Sequence, residues 1–206
     1  MTRVQLTLLC ALATLQPSCA LTSKADAMTP RFFNPQVAPV SRSQAAPRSL
    51  ELRLGQVSSA AHLDERISFR INASEVGFYD DRRWTELPEA YLRRALEREL
   101  FEDRKLTRVM SGGGPVLNVE LTSFEELRES PTRVRVTLTY SLRDERRTLL
   151  ERSLELAQPL TAQPGADSAA LVAQTLSATL AQAVQTVGAA VVERLGEAPP
   201  AEVVAQ

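Results

Sequence analysis

Cys10, Cys19 and His62 are the only thiols and the only imidazole in this chain, and they cap what nucleophilic or metal chemistry it could perform. A histidine-dependent triad would have to use His62, which lies in a polar stretch between two alternating segments, and no Gly-x-Ser-x-Gly elbow accompanies it. A protein metal site needs clustered His, Cys or carboxylate ligands, and none is spaced for it here. The run Ser111-Gly112-Gly113-Gly114-Pro115 lacks the Lys-Ser/Thr that a phosphate loop places at the start of a helix, so it reads as an inter-strand loop. The acidic pairs Asp80-Asp81 and Glu125-Glu126 read as solvated turns. The chain is therefore expected not to be an enzyme and to carry no metal or other cofactor.

Cys19 remains, and its setting gives it a different chemistry. Arg3 opens the chain, Val4 to Leu15 is apolar, and Gln16-Pro17-Ser18 leads into Cys19. This is the layout of an export signal. The apolar run is shorter than the roughly 20 residues that a spanning helix needs, and no later segment reads as a span. The layout allows cleavage before Cys19 with lipid attached to its thiol, the acyl chains being of the palmitate kind. Several chains on one residue hold firmly where a single one holds weakly. Of the three residues before Cys19 only Ser18 suits a bacterial lipobox. The alternative is an ordinary signal peptide cut near Ala20. Residue 20 is not Asp, which favours the outer over the inner membrane.

The body behind Cys19 has no cysteine at all, unlike a secreted domain stapled by disulfides. Its 24 basic and 25 acidic residues balance in the whole chain, which argues against a nucleic-acid partner. Four spans follow from composition: a signal peptide at 1–18, a proline-rich flexible tether at 19–48, one domain at 49–196 and a disordered tail at 197–206. Within the tether, Thr29-Pro30-Arg31-Phe32-Phe33 is expected to dock, because adjacent aromatics are rarely left in water.

The domain alternates apolar and polar residues over 50–54, 66–72, 116–124, 132–143 and 146–156, each a strand with one buried face. Val76 to Tyr79 is a shorter strand turned by Asp80-Asp81. Pro88 suits the first turn of a helix running to about Arg104. A longer helix, about 168–195 and capped by Asp167 or Ser168, buries Val172, Leu176, Leu180, Ala183, Val187, Val191 and Leu195. Its opposite side is Ala, Gln, Thr and Ser, so that side is expected to pack against something too. The predicted fold is α+β: a mainly antiparallel sheet with two helices on one face.

The segment Phe69-Arg70-Ile71, Val76, Phe78-Tyr79, Arg83-Trp84, Leu87-Pro88, Leu92 and Leu96 resembles the signature of the ABC-type transport auxiliary lipoproteins, which include Pqi-type outer-membrane lipoproteins. The resemblance covers about 48–195. It implies a non-enzymatic accessory of a lipid-transport system built from an ATPase, a permease and an MCE-domain protein. It also implies a periplasm-facing place in the cell envelope, contact with the MCE and ABC components, and possible homo-oligomers. Arg70, Tyr79, Trp84 and Pro88 carry over as signature positions, with Cys19 as the lipidation site. Trp84 is expected to pack the helix that begins at Pro88 onto the sheet, with an interaction surface as its alternative role. Two other functions stay open: a lipid-carrying module with an apolar groove between the last helix and the sheet, and an envelope adaptor of another secretion or export system.

Overall fold

A computed structural model describes residues 29–35, 50–161, Gly165 and 167–197. The signal peptide, Cys19, most of the tether and the tail after Glu197 lie outside the described residues. Eight strands and two helices follow in the order β1 (Arg31–Phe33), β2 (Glu51–Ser59), β3 (Arg66–Arg70), β4 (Val76–Trp84), α1 (Pro88–Glu97), β5 (Thr107–Arg108), β6 (Val116–Leu127), β7 (Arg133–Arg143), β8 (Thr148–Pro159) and α2 (Ser168–Glu197). The result is an α+β fold around one mixed sheet.

β6 is the axis of the sheet. One of its flanks pairs antiparallel with β7 along its whole length, and β7 pairs likewise with β8. The other flank is shared end to end by two parallel strands. β2 takes the first half, from Arg53 opposite Val116 to Ser59 opposite Leu121, and β3 takes the end, from Ser68 opposite Glu125 to Arg70 opposite Leu127. β3 and β4 form an antiparallel pair, β1 lies parallel to β4, and β5 lies parallel to β2.

Alternation puts Val134, Val136, Leu138, Tyr140 and Leu142 of β7 on the core face, all buried. In β6 the core face runs through Leu117, Val119 and Leu121 and then changes phase. A bulge at Thr122 gives β6 one residue more than β7 opposite it, so Phe124 follows as the next core residue. Both helices cover this face. α1 contributes Tyr91, Leu92, Ala95 and Leu96; α2 contributes Val172, Leu176, Leu180, Val184, Val187 and Val191.

Three expectations are corrected. Asp80-Asp81 is no chain-reversing turn: β4 continues through it to Trp84. Between the pairs Arg66–Arg83 and Ser68–Phe78, β4 carries extra residues that bulge away from β3, while its last three pair with β1. Glu125-Glu126 is no solvated turn either, because β6 runs on to Leu127 and buries both. Finally, α2 is long and apolar enough to cross a membrane by length and composition, although no later segment was read as a span. Its apolar side is occupied by the sheet.

Local chemistry fixes the helix ends. Leu87 is extended, as a residue before proline must be, and Pro88 opens α1. A π-helical turn, Arg98–Asp103, follows α1 and closes with Arg104 N–H donating to Glu99 O at 3.0 Å. Lys105 then reverses the chain at φ 60°. Asp167 caps α2: its Oδ1 accepts from the N–H groups of Ala169 and Ala170 at 3.0 and 3.3 Å. The docked segment in the tether is β1, tied by its pairing to β4 and by Arg31, whose guanidinium donates to both carboxylate oxygens of Asp167.

Candidate functional site

The densest constellation of charge and aromatic rings lies where β3 and β6 end and β4 begins. As strand neighbours, Glu125 and Glu126 point to opposite faces of the sheet, and the phase change at Thr122 puts Glu126 on the core side. Glu125 faces Arg135 across the β6–β7 pair, on the face away from the helices. Arg70 Nε donates to its Oε1 at 3.0 Å, and the Arg135 guanidinium donates to the same oxygen. The carboxylate is fully buried, while the arginines above it keep 18% and 23% of their side-chain surface. Arg135 also comes within 4.0 Å of Glu155 on β8.

Glu126 shares the core side with Phe124 and accepts a hydrogen bond from the Tyr79 hydroxyl. The Tyr79 ring lies between two guanidiniums, Arg82 at 3.8 Å and Arg128 at 4.7 Å. Arg128 also covers the Phe69 ring at 3.4 Å and approaches Glu126 at 3.8 Å. Phe69 meets Tyr79 edge to face at 5.0 Å. Its ring lies across Gly77, where a Cβ would stand 2.4 Å from ring atoms, so the strand partner of Phe69 has to lack a side chain. Burial pushes the Tyr79 hydroxyl above its usual range, and the hydrogen bond to Glu126 adds to the rise.

Such an arrangement can orient and bind: its carboxylates accept from arginine or tyrosine. Among the described residues no group of three or more His, Cys, Asp or Glu is placed to hold a metal ion. His62 is exposed in a loop between β2 and β3.

The signature positions divide in two. Arg70 and Tyr79 meet the adjacent acids Glu125 and Glu126, on opposite faces of the sheet. Trp84 and Pro88 belong to the core. Trp84 is 1% exposed, tilted against Phe124 at 5.0 Å and edge-on to Tyr91 of α1 at 6.2 Å. That burial leaves its indole no surface for a partner. The sequence reading missed Glu125, Glu126, Arg128 and Arg135. The signal was present in hairpin arithmetic: a turn centred near Ser130 puts residue 125 opposite residue 135, and thus an acid against a base.

A second feature is an open groove of about 650 Å³ between α2 and the residues after β1, lined by Phe33, Pro35, Ala173, Ser177, Ala181 and other uncharged residues. The uncharged side of α2 thus meets the docked segment at one end and remains open beyond it. The space between α2 and the sheet is filled by side chains such as Leu176, Leu180 and Val187, which have no exposed surface.

A family model for the ABC-type transport auxiliary lipoprotein component matches residues 34–188, from the end of the docked segment well into α2. The chain belongs to this family. Its members are lipoproteins, held at a membrane of the cell envelope, and accessory to ABC-type transport. Solved structures share the fold. The Xanthomonas campestris protein XCC0632 is 20% identical, with a TM-score of 0.68 over 80% of this chain and 95% of that one. A crystal structure described only as an uncharacterized protein gives a TM-score of 0.63 at 14% identity, over 79% and 99%. The Chlamydia trachomatis hypothetical protein CT253 gives 0.52 at 9% identity, over 72% and 98%. No curated protein matches the chain. What these structures share with this auxiliary lipoprotein is the fold.

Proposed function

We propose that this auxiliary lipoprotein is anchored through a lipidated Cys19 in the outer membrane, faces the periplasm, and works by protein contact in an MCE-associated ABC system that transports lipid. The observation that carries the reading is the family match over residues 34–188. Two others support it: Cys19 stands after an export-type leader, and the charged cluster is built for binding. The partners are the MCE-domain protein and the transporter subunits. Affinity purification from native membranes, followed by protein mass spectrometry, tests it. Co-purification of a permease, an ATPase or an MCE protein is the expected outcome, and recovery of the lipoprotein alone overturns it.

The groove favours a second reading, a module that itself carries lipid. It is apolar and open, and it lies on the outer flank of α2 instead of between α2 and the sheet. Lipid extraction and mass spectrometry of the purified protein decide this reading: a stoichiometric phospholipid supports it, and its absence removes it.

A further inference from the structure

Composition gives the domain a long leash, from Cys19 to about residue 48. The structure shortens it. β1 is paired to β4 at Arg31, Phe32 and Phe33, Thr85 N–H donates to Phe33 O at 3.0 Å, and Arg31 is clamped to the cap of α2. The chain is thus fastened to the domain from about residue 30, and from Cys19 to Thr29 there are ten Cα-to-Cα steps across nine intervening residues. At full extension they reach about 36 Å, whereas a tether ending at Leu50 would reach about 110 Å. A domain of this size has a radius of gyration of about 15 Å, so the β1 rim stays within roughly one domain's width of the surface that holds Cys19.

That rim has an apolar surface. Phe32 is 62% exposed and Leu87 is 44% exposed, two of the four large hydrophobic residues so exposed among the described residues. Both lie by the β1–β4 edge: Phe32 stands opposite Arg83, and Leu87 follows two residues after Thr85, which is bonded to Phe33. Acidic groups there are neutralised. Asp167 is held by Arg31, Glu86 by Arg94 at 2.6 Å, and Asp81 lies 3.7 Å from Arg82. An aromatic and a leucine flanked by arginines suit the headgroup–acyl boundary of a bilayer.

We infer that the β1 rim, through Phe32 and Leu87, rests on the lipid surface to which Cys19 is attached. The inference depends on the anchoring proposed above. It sets the orientation of the domain: β7 and β8, across β6 from β1, point away from the bilayer, toward partners.

Trp84 is the only tryptophan, and its burial shields its emission from a lipid-borne quencher, so the wild-type lipoprotein is the unquenched reference. The full-length lipidated protein, as wild type, Phe32→Trp and Leu87→Trp, is incorporated into phosphatidylcholine–phosphatidylglycerol vesicles containing bromine-labelled phosphatidylcholine. Bromine quenches indoles that lie at the acyl boundary. The added emission at position 32 or 87 is expected to fall by about half, the depth of interfacial side chains being roughly 5–10 Å, while wild type stays unquenched. Flotation in a density gradient is read on the same samples. Protein that floats without quenching at either position overturns the seating alone. Protein that does not float overturns the anchor and the seating with it. Cys19→Ser supplies the unanchored control and is expected neither to float nor to be quenched. Having two probe positions keeps the result decisive if a tryptophan at 32 disturbs β1.

Discussion

Glu125 and Arg135 face each other across β6 and β7, and the carboxylate is fully buried although it lies on the face of the sheet without helices. Arg70 closes over it from β3. Three strands are thereby tied by one oxygen that accepts from two guanidiniums. Removing one partner of a buried ion pair leaves an uncompensated charge, at a cost of about 3 kcal/mol or more. Glu125→Ala is therefore expected to lower unfolding stability by about that amount. Arg70→Met, Glu125→Leu and Arg135→Leu together are expected to recover most of it. Urea unfolding of the single and triple variants checks both. A single variant as stable as wild type would show that the cluster contributes nothing to the fold.

Gly188 of α2 sits against the ion pair of Glu99 and Arg104, whose atoms lie 2.6 Å apart. A Cβ at 188 would stand 2.8 Å from Arg104 Nε and from Glu99 Oε1. Gly to Ala inside a helix ordinarily gains about 1 kcal/mol. Overpacking costs roughly 1–3 kcal/mol, so Gly188→Ala is expected to give a net loss. In a Glu99→Ala background the same change is expected to stabilise. A thermal double-mutant cycle reads the reversal of sign directly.

The pair between Arg31 and Asp167 makes the docking of β1 sensitive to acid. The hydrogen bonds from Arg31 and from the helix N–H groups lower the Asp167 pKa from 3.8 to about 2. A carboxylate depressed in the folded state stabilises above its unfolded value, and that contribution is lost as pH falls through its folded value. Docking is expected to be complete above about pH 4 and to weaken toward pH 2. Asp167→Asn should remove this acid-dependent part. Amide exchange of Phe32 and Phe33 against pH, in both proteins, is the measurement.

Tyr79 is held between two arginines with its hydroxyl committed to Glu126. Tyr79→Phe keeps the ring stack and deletes one hydrogen bond to a charged group, an expected loss of about 1.5–3 kcal/mol. The raised pKa places tyrosinate formation at this residue above the usual range. Difference absorbance between wild type and Tyr79→Phe during an alkaline titration should show a late step that the variant lacks.

Trp84 fills the junction of β4, β6 and α1. Trp84→Ala is expected to cost about 3–5 kcal/mol, enough to leave a marginal domain unfolded at physiological temperature. Near-ultraviolet circular dichroism checks whether tertiary packing survives.

Periodicity made β7, β8 and both helices legible, because each carries one clear repeat of apolar residues. The α+β class follows from the same logic; the docking of β1 rests on its two adjacent aromatics, of which Phe33 packs against the core and Phe32 stays exposed. Parallel pairing of β2 and β3 with β6 was not legible, since nothing in either strand specifies which neighbour lies beside it. The charged cluster stayed hidden for a related reason. Glu125 and Glu126 look like a surface turn to any local reading, and only Arg70 and Arg135, 55 and 10 residues away in sequence, make their burial possible. At β4 the bulge between Arg66 and Ser68 in the β3 register masked strand residues behind two aspartates.

β2 and β3 line the same flank of β6, and this has a consequence for the order in which the chain can acquire structure. A polypeptide that emerges from an export channel N-terminus first presents β1 to β5 before residue 116. Until β6 arrives, β2 has only the two residues of β5 beside it, and the β3–β4 hairpin, marginally stable by itself in water, has only the three residues of β1. More than half of the chain must therefore remain open to solvent, and to chaperones, until one strand enters and completes both sides at once. The register makes compaction wait on β6, a delay that would suit the export that the proposed anchoring entails.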